Sequence, residues 1–388
     1  MTDDAEKALL PAGLADKLPP QAAQEAVVIA RLADCFSSHG FQRVAPPLVE
    51  FEDNLLGDAG ADMAADTFRI MDPVSQRMMG LRADMTMQVA RIAGTRLRRQ
   101  PRPLRLCYAG DVLRVRGTQM RPERQFAQVG AELIGAAAEI ADIRADAEMI
   151  ALAAEGLAAI GIDRISIDVG SPSLLRSVFR AHDLDPRGRS ELRQALDHKD
   201  RAAVAATGGA AAPVLTALLD ATGPADEALD ALAAIDLPGD AGGDADRLAR
   251  VVGLVRARRP DLMLTVDPVE DRGFAYHTAS SFTIFAAGVR GELGRGGRYV
   301  AGHNRVGDEP GTGFTLFMDS VMRGLPEAAP AETVFLPADA TVEDGRRLRD
   351  AGWVTVAGLE DDVDAIVEAR RLGCSHLLRD GEPVPVEE

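Results

Sequence analysis

Between residues 104 and 135 (LRLCYAGDVLRVRGTQMRPERQFAQVGAELIG) the chain sets arginine, amide and carboxylate at alternate positions: Arg114 and Arg116, then Gln128 and Glu132 with Gly130 between them. A guanidinium takes a carboxylate, whereas carboxylate and amide oxygens take an ammonium. Brought onto one surface, these side chains would make a floor for a small zwitterion, with Gly130 leaving room above it. The alternative is an ordinary amphipathic hairpin, wetted on one side.

The elements that must position these groups follow from the pattern around them. Two runs of alternating apolar and polar residues flank a polar, Pro-containing loop, which predicts two antiparallel strands joined by a long hairpin loop. Successive side chains of a strand point to opposite faces. Arg114 and Arg116 therefore share a face, and so do Gln128, Gly130 and Glu132, with Ala127, Val129, Ala131 and Leu133 opposite. Upstream, residues 1–20 predict a surface arm, and 21–39 predict an amphipathic helix on Val27, Val28, Leu32 and Phe36, closed by Gly40. FQRVAPPLVEF predicts an edge strand broken by Pro46 and Pro47. Residues 66–92 predict two short strands turning at Asp72-Pro73, then a helix whose Asp84-x-Thr86 start has the form of an N-cap. Downstream, the pattern predicts a helix over 137–160, a strand over 165–170, helices through 173–260, strands again over 264–300, and a small α/β segment with strands near 334–336, 354–356 and 376–378.

Composition narrows the classes of function. The 388 residues are 46% hydrophobic with a formal net charge of −17, a globular chain that as a whole repels polyanions. A nucleic-acid partner needs a positive footprint, and the one local candidate is Arg91, Arg96, Arg98, Arg99, Arg102 and Arg105, either a solvated face or an anion site. Cys35, Cys107 and Cys374 are far apart, with neither disulfide framework nor metal-ligand spacing, so no metal is expected and a reducing cytoplasm fits. The start, MTDDAEKALL, lacks a signal-peptide layout, and no apolar run reaches membrane-spanning length.

In order and spacing these segments resemble the class II aminoacyl-tRNA synthetases, in the form found in histidyl-tRNA synthetase. Motif 2 of that form reads roughly FRxER, a loop, and RQFHQxGxE. Here Leu113-Arg114-Val115-Arg116 and Arg124-Gln125-Phe126-Ala127-Gln128-Val129-Gly130-Ala131-Glu132 match it without a gap. Leu81-Arg82-Ala83-Asp84-Met85-Thr86 resembles its LRPEGT, residues 271–277 (DRGFAYH) its RGLDYY, 294–299 (GRGGRY) its GGRYD, and 311–324 its motif 3. The resemblance spans roughly residues 5–325 and implies an α+β fold. Its core over residues 1–325 is a mixed, mainly antiparallel sheet flanked by helices, with a helical insertion at about 173–260 and a small α/β domain at 330–388. The helix–strand–proline unit occupies the place of motif 1, which implies a homodimer. Asp84 and Thr86 match the family's ammonium-binding acid and threonine, and Arg272 matches the arginine that neutralises carboxylate and phosphate. Tyr276 and His277 end the element whose last tyrosine contacts the imidazole in the family.

The departures matter as much as the matches. Motif 2's adenine-orienting Glu is Arg116, a charge reversal, and the motif 3 Glu-Arg pair is Asp319-Ser320. Losing a positioned cationic donor costs ~3 kcal/mol or more of transition-state stabilisation, so adenylate chemistry is not expected. The amino-acid side of the pocket keeps Asp84, Thr86, Arg114, Gln128, Glu132 and Arg272. That combination resembles the regulatory subunits of ATP phosphoribosyltransferase, synthetase-like paralogues that do no chemistry. They associate with a short-form catalytic subunit in the first step of histidine biosynthesis. The resemblance implies no catalytic residues, no cofactor, no tRNA, a homodimer within a hetero-oligomer, and histidine as effector, bound in the old substrate pocket or at a subunit interface. The alternatives are a working histidyl-tRNA synthetase and a free-standing synthetase-like amino-acid sensor.

Overall fold

The computed structural model describes residues 9–56, 64–136, 138–270, 277–303, 306–360 and 363–386. It divides into two compact units, 1–326 and 327–388.

The first unit begins with an exposed arm that touches the hairpin loop: Arg124 donates its backbone N–H to Gly13 O at 2.7 Å and Nη1 to Ala12 O at 3.0 Å. Helix α1 (Gln21–Ser38) buries Val28, Leu32 and Phe36, each four residues from the next. Val27, expected on the same face, is exposed, because it sits a quarter-turn off that stripe. Gly40 ends the helix at φ +83°, a left-handed position that suits glycine. The proline-broken segment splits into β1 (Gln42–Arg43) and β2 (Val49–Phe51), which join different sheets. Short α2 (Glu52–Leu56) follows, then β3 (Arg69–Met71) and β4 (Met78–Leu81), which with β2 form a three-stranded sheet. Next come α3 (Thr86–Gly94) and the long hairpin β5 (Leu104–Leu113) and β6 (Gln125–Ile134). Helix α4 (Glu139–Ala159) leads to β7 (Ile165–Gly170). The stretch after β7 carries α5 (Pro172–Ala181), α6 (Pro186–Asp197), α7 (Arg201–Thr207), α8 (Ala212–Asp220), the two-residue β8 (Gly223–Pro224), α9 (Ala225–Ala233) and α10 (Ala241–Arg258). The unit closes with β9 (Met263–Asp267), β10 (His277–Ala286), β11 (Gly294–His303), β12 (Val306–Phe317) and α11 (Met318–Arg323).

Nine strands form one sheet in the order β1-β5-β6-β12-β11-β10-β7-β9-β8, antiparallel except for the β1/β5 and β7/β9 pairs. Odd-numbered residues of the hairpin, such as Val129 and Ala131, face the large core made with α1, α4, α5 and α10. Even-numbered residues face a second core under α3, with Met85, Val89, Tyr108, Phe126, Tyr299 and Phe317. Both faces are therefore buried, and the hairpin is not wetted on one side as the alternation alone would allow. Gln128 and Glu132 are fully buried. β5 also ends at Leu113, so Arg114 and Arg116 belong to the loop and Arg116 is exposed.

The second unit is a four-stranded sheet, ordered β14 (Val354–Ala357), β13 (Thr333–Leu336), β15 (His376–Arg379), β16 (Glu382–Pro385). The first three are parallel, as the crossovers through α12 (Val342–Asp350) and α13 (Ala365–Arg371) require. The last strand, which the spacing of apolar residues did not predict, returns antiparallel through a turn at Asp380-Gly381, both at positive φ.

Candidate functional site: a closed polar pocket beside a filled crevice

Four of the predicted residues meet over the second core. Gln128 Nε2 donates to Asp84 Oδ2 at 3.0 Å, while its Oε1 accepts the Met85 N–H at 3.1 Å. Asp84 Oδ1 accepts the Thr86 N–H at 2.8 Å, so both carboxylate oxygens are used; the N-cap position itself falls to Met85, which has no side-chain cap, and Asp84 stands one residue before the cap expected of it. Glu132 accepts from two tyrosines, Tyr299 at 2.9 Å on Oε2 and Tyr108 at 3.3 Å on Oε1. The Tyr108 hydroxyl also lies 2.7 Å from Thr315 Oγ1 and 3.4 Å from Thr86 Oγ1. Register explains the convergence. Tyr108 pairs with Gly130 and Thr315 with Gly130 on the far side, so one glycine lies between them. A Cβ on Gly130 would sit 2.4 Å from the Tyr108 hydroxyl. The room left by this glycine is taken by the tyrosine rather than left open. Gly313 likewise lies under Glu132, where a Cβ would come within 1.7 Å of Oε2.

Burial sets the charge states. Removal from water raises the Glu132 carboxyl to about 8, against the opposing effect of the Tyr299 hydrogen bond. The same burial drives the Tyr108 phenol well above its ordinary value. His277, at the start of β10, is also buried, and that burial with Arg295 and Arg176 nearby lowers its imidazole to about 3. Glu132, Thr86, Tyr299, Thr315 and His277 line one cavity of about 10 Å³, the volume of a single water. At neutral pH its acid and its imidazole are both uncharged. Arg272 and Tyr276 lie outside the described residues. Arg114 does not join this network: its Nε donates weakly to Ala83 O at 3.4 Å, and its guanidinium lies 5.1 Å from the Phe126 ring centre. A larger hollow of about 520 Å³ in the second unit, by Phe335, Val356 and Leu372, holds none of the predicted residues.

Beside the pocket, the segment in the place of motif 3 is covered by the hairpin loop. Arg121, from the hairpin loop, stacks its guanidinium 3.8 Å over Phe317 and pairs with Glu292 at 3.0 Å. Burial lowers Arg121 to about 10, with Glu292 opposing the shift. Glu292 is shared with Arg295 at 2.5 Å. Ser320 is fully buried and its hydroxyl accepts from Arg323 at 2.9 Å. Burial raises the Asp319 carboxyl, whose nearest described cation is Arg323 at 3.7 Å. Of the six clustered arginines, three are taken by acids: Arg91 by Glu50 at 2.5 Å, Arg102 by Glu309 at 2.7 Å, and Arg105 by Glu148.

A closed, water-sized polar pocket next to the Arg121–Phe317 stack, on a sheet of this order, has close relatives. Residues 13–321 match the family model described as histidyl-tRNA synthetase. The chain is 55% identical to the ATP phosphoribosyltransferase regulatory subunit of Paramagnetospirillum magneticum, over the whole of both chains. It is 49% identical to the protein of the same name from Rhodospirillum rubrum, over 98% of each. The chain belongs to the ATP phosphoribosyltransferase regulatory subunit family. The fold is shared more widely. A Bacillus halodurans protein described as an ATP phosphoribosyltransferase regulatory subunit/histidyl-tRNA synthetase superposes with a TM-score of 0.81 at 20% identity, covering 95% of this chain and 97% of that one. The histidyl-tRNA synthetase of Nostoc gives 0.79 at 19% identity, covering 95% and 90%.

In this regulatory-subunit fold Asp84, Thr86, Gln128, Glu132 and His277, which the resemblance grouped, lie together around one spot. The resemblance did not single out Tyr108, Thr315, Arg295 or Arg121. Tyr108 was legible in principle, as an aromatic residue that strand alternation sets on the same face as Gln128 and Glu132. Arg121 sits in a loop with no periodicity, and nothing local announces that it reaches Phe317.

Proposed function

We propose that this chain is the non-catalytic subunit of a hetero-oligomeric ATP phosphoribosyltransferase: a cytoplasmic homodimer that activates a short-form catalytic subunit and conveys feedback inhibition by histidine. The observation that carries the reading is Arg121 on Phe317. A guanidinium of the chain's own seated on Phe317, with Ser320 in place of a phosphate-gripping arginine, argues against a productively bent ATP there. The relatives' names supply the partner. The test is to mix the purified chain with a short phosphoribosyltransferase. Activity is expected to require this chain and to fall on adding histidine, while neither histidine-dependent ATP–pyrophosphate exchange nor tRNA charging appears. Robust exchange would instead establish a working ligase.

Histidine is assigned to the Asp84–Gln128–Glu132 floor: Asp84, Thr86 and Gln128 for the ammonium, Glu132 for the imidazole, and Arg114 or Arg272 for the carboxylate. A water-sized cavity cannot take an amino acid without moving its lining. Histidine would therefore bind differently to two arrangements of this chain, which is the condition for shifting a population. Glu132 is protonated in the closed arrangement, so ligation by an N–H donor is expected to release a proton. Calorimetry in buffers of different ionisation enthalpy reads that release. Glu132→Ala and Gln128→Ala should each abolish binding; unchanged binding would move the site to a subunit interface.

A further inference from the structure

Helices α1 and α4 cross where α4 carries Gly156. A Cβ there would meet Phe36 Cε1 at 2.8 Å and Leu32 Cδ2 at 3.3 Å, so the glycine sets how closely the two helices approach. One residue from this crossing, on each helix, the side chains change from apolar to coordinating. Cys35 and His39 stand four apart and so share a face of α1, and Glu155 faces them from α4. The Cys35 sulfur, a His39 ring nitrogen and a Glu155 carboxylate oxygen all lie within 4.8 Å of one another. His39 Nε2 and Glu155 Oε1 are 3.1 Å apart.

We propose that Cys35, His39 and Glu155 bind a divalent metal ion of the zinc class, tying the C-terminal end of α1 to α4. Zinc takes sulfur at about 2.3 Å and nitrogen or oxygen at about 2.0–2.2 Å, so the edges of a tetrahedral site are roughly 3.3–3.7 Å. The three donors need to close by about 1 Å at most, and His39 and Glu155 are half-exposed side chains at liberty to do so. Charge is balanced: one thiolate and one carboxylate neutralise a dication, with the thiol proton and the Nε2 proton displaced, the latter by a shift to the Nδ1 tautomer or release to water. A second feature points the same way. The end of a helix carries partial negative charge that a cation compensates, and the last turn of α1 contains no basic residue, its carbonyls being taken by Ser38 Oγ and by backbone N–H groups. Arg259, just past α10, is held by both oxygens of Asp261, at 2.8 and 3.1 Å, and also feels the charge of Glu155. Glu155 is half-exposed and hydrogen-bonded to His39. Three protein donors leave a fourth position for water or a ligand from outside.

Cobalt(II) reports the geometry directly. The metal-stripped full-length chain is titrated with Co²⁺ alone. The expected result is one equivalent taken up with the visible bands of a tetrahedral ion and a sulfur-to-cobalt charge-transfer band, both displaced by Zn²⁺. Cys35→Ser should remove the sulfur band while Cys107 and Cys374, both buried, remain in place. His39→Gln and Glu155→Gln should each weaken uptake by more than ~10-fold. Circular dichroism of each variant checks that it is folded. Absence of saturable uptake by the wild-type chain, or a sulfur band that survives Cys35→Ser, overturns the proposal.

Discussion

Glu132 shows how much of the site is decided by single residues. Its carboxyl is held neutral by burial, titrating at about 8 instead of in the ordinary carboxylate range. An acid raised in this way leaves the folded state short of charge that the unfolded chain acquires. Stability from this group is intact below the unfolded value of about 4.3 and falls as pH rises toward 8. Replacing it with the neutral isostere Glu132→Gln should remove that slope. Urea denaturation is expected to show the variant gaining on the wild type by on the order of 2–4 kcal/mol between pH 5 and pH 9. Gly313→Ala carries the opposite expectation. Its Cβ would meet Glu132 Oε2 at 1.7 Å and the Ala131 backbone oxygen at 2.6 Å, so a buried side chain and a central strand must both shift. A loss of about 1–3 kcal/mol or more is expected, read as a lower urea midpoint with little change in slope.

At the scale of elements, the pocket depends on how α4 is fixed to the sheet. Arg298 on β11 is buried and reaches α4, donating Nη2 to Asp146 Oδ1 at 2.7 Å and Nε to the same oxygen at 3.0 Å. Arg247 of α10 joins at 2.6 Å on Asp146 Oδ2 and also pairs with Asp142. Three elements are thus bound through one pair of acids. Removing one partner of a buried pair strands the other charge, so Arg298→Ala is expected to cost about 3–5 kcal/mol. Arg298→Met, of similar length, would be costly for the same reason, and the paired change with Asp146→Leu should recover much of the loss. Thermal unfolding of the two single variants and the double variant measures this coupling. The hairpin loop is a different case. Arg121→Ala removes the guanidinium from Phe317 and the ion pair with Glu292, for an expected loss of about 1–3 kcal/mol, while histidine affinity measured by calorimetry stays near the wild-type value.

For the whole molecule, each unit has apolar clusters of its own. Val334, Leu336, Leu348 and Leu378 lie on one face of the small sheet, and Phe335, Ala369, Cys374 and Leu377 on the other. Residues 1–326 contain the complete nine-stranded sheet with both of its cores. A chain ending at Pro326 is therefore expected to unfold cooperatively and to keep histidine binding within a few-fold of the full chain, as circular dichroism and calorimetry would read. Among the described residues no helix is long and apolar enough to cross a membrane.

The sequence by itself determined most of the order of the elements, the hairpin that carries Gln128 and Glu132, and the start of the helix at Thr86, because periodicity, turn residues and motif spacing are local properties of a chain. It also exposed the departures from the synthetase motifs, since an arginine at position 116 and a serine at position 320 are visible without coordinates. Tertiary structure alone decided what fills the space between those groups. The ring of Tyr108 takes the place over Gly130, Arg121 takes the face of Phe317, and Cys35 and His39 meet Glu155 across 116 residues. Each of those contacts depends on strand register or helix crossing, which bring together residues distant in the chain, and no local pattern encodes the distance between them.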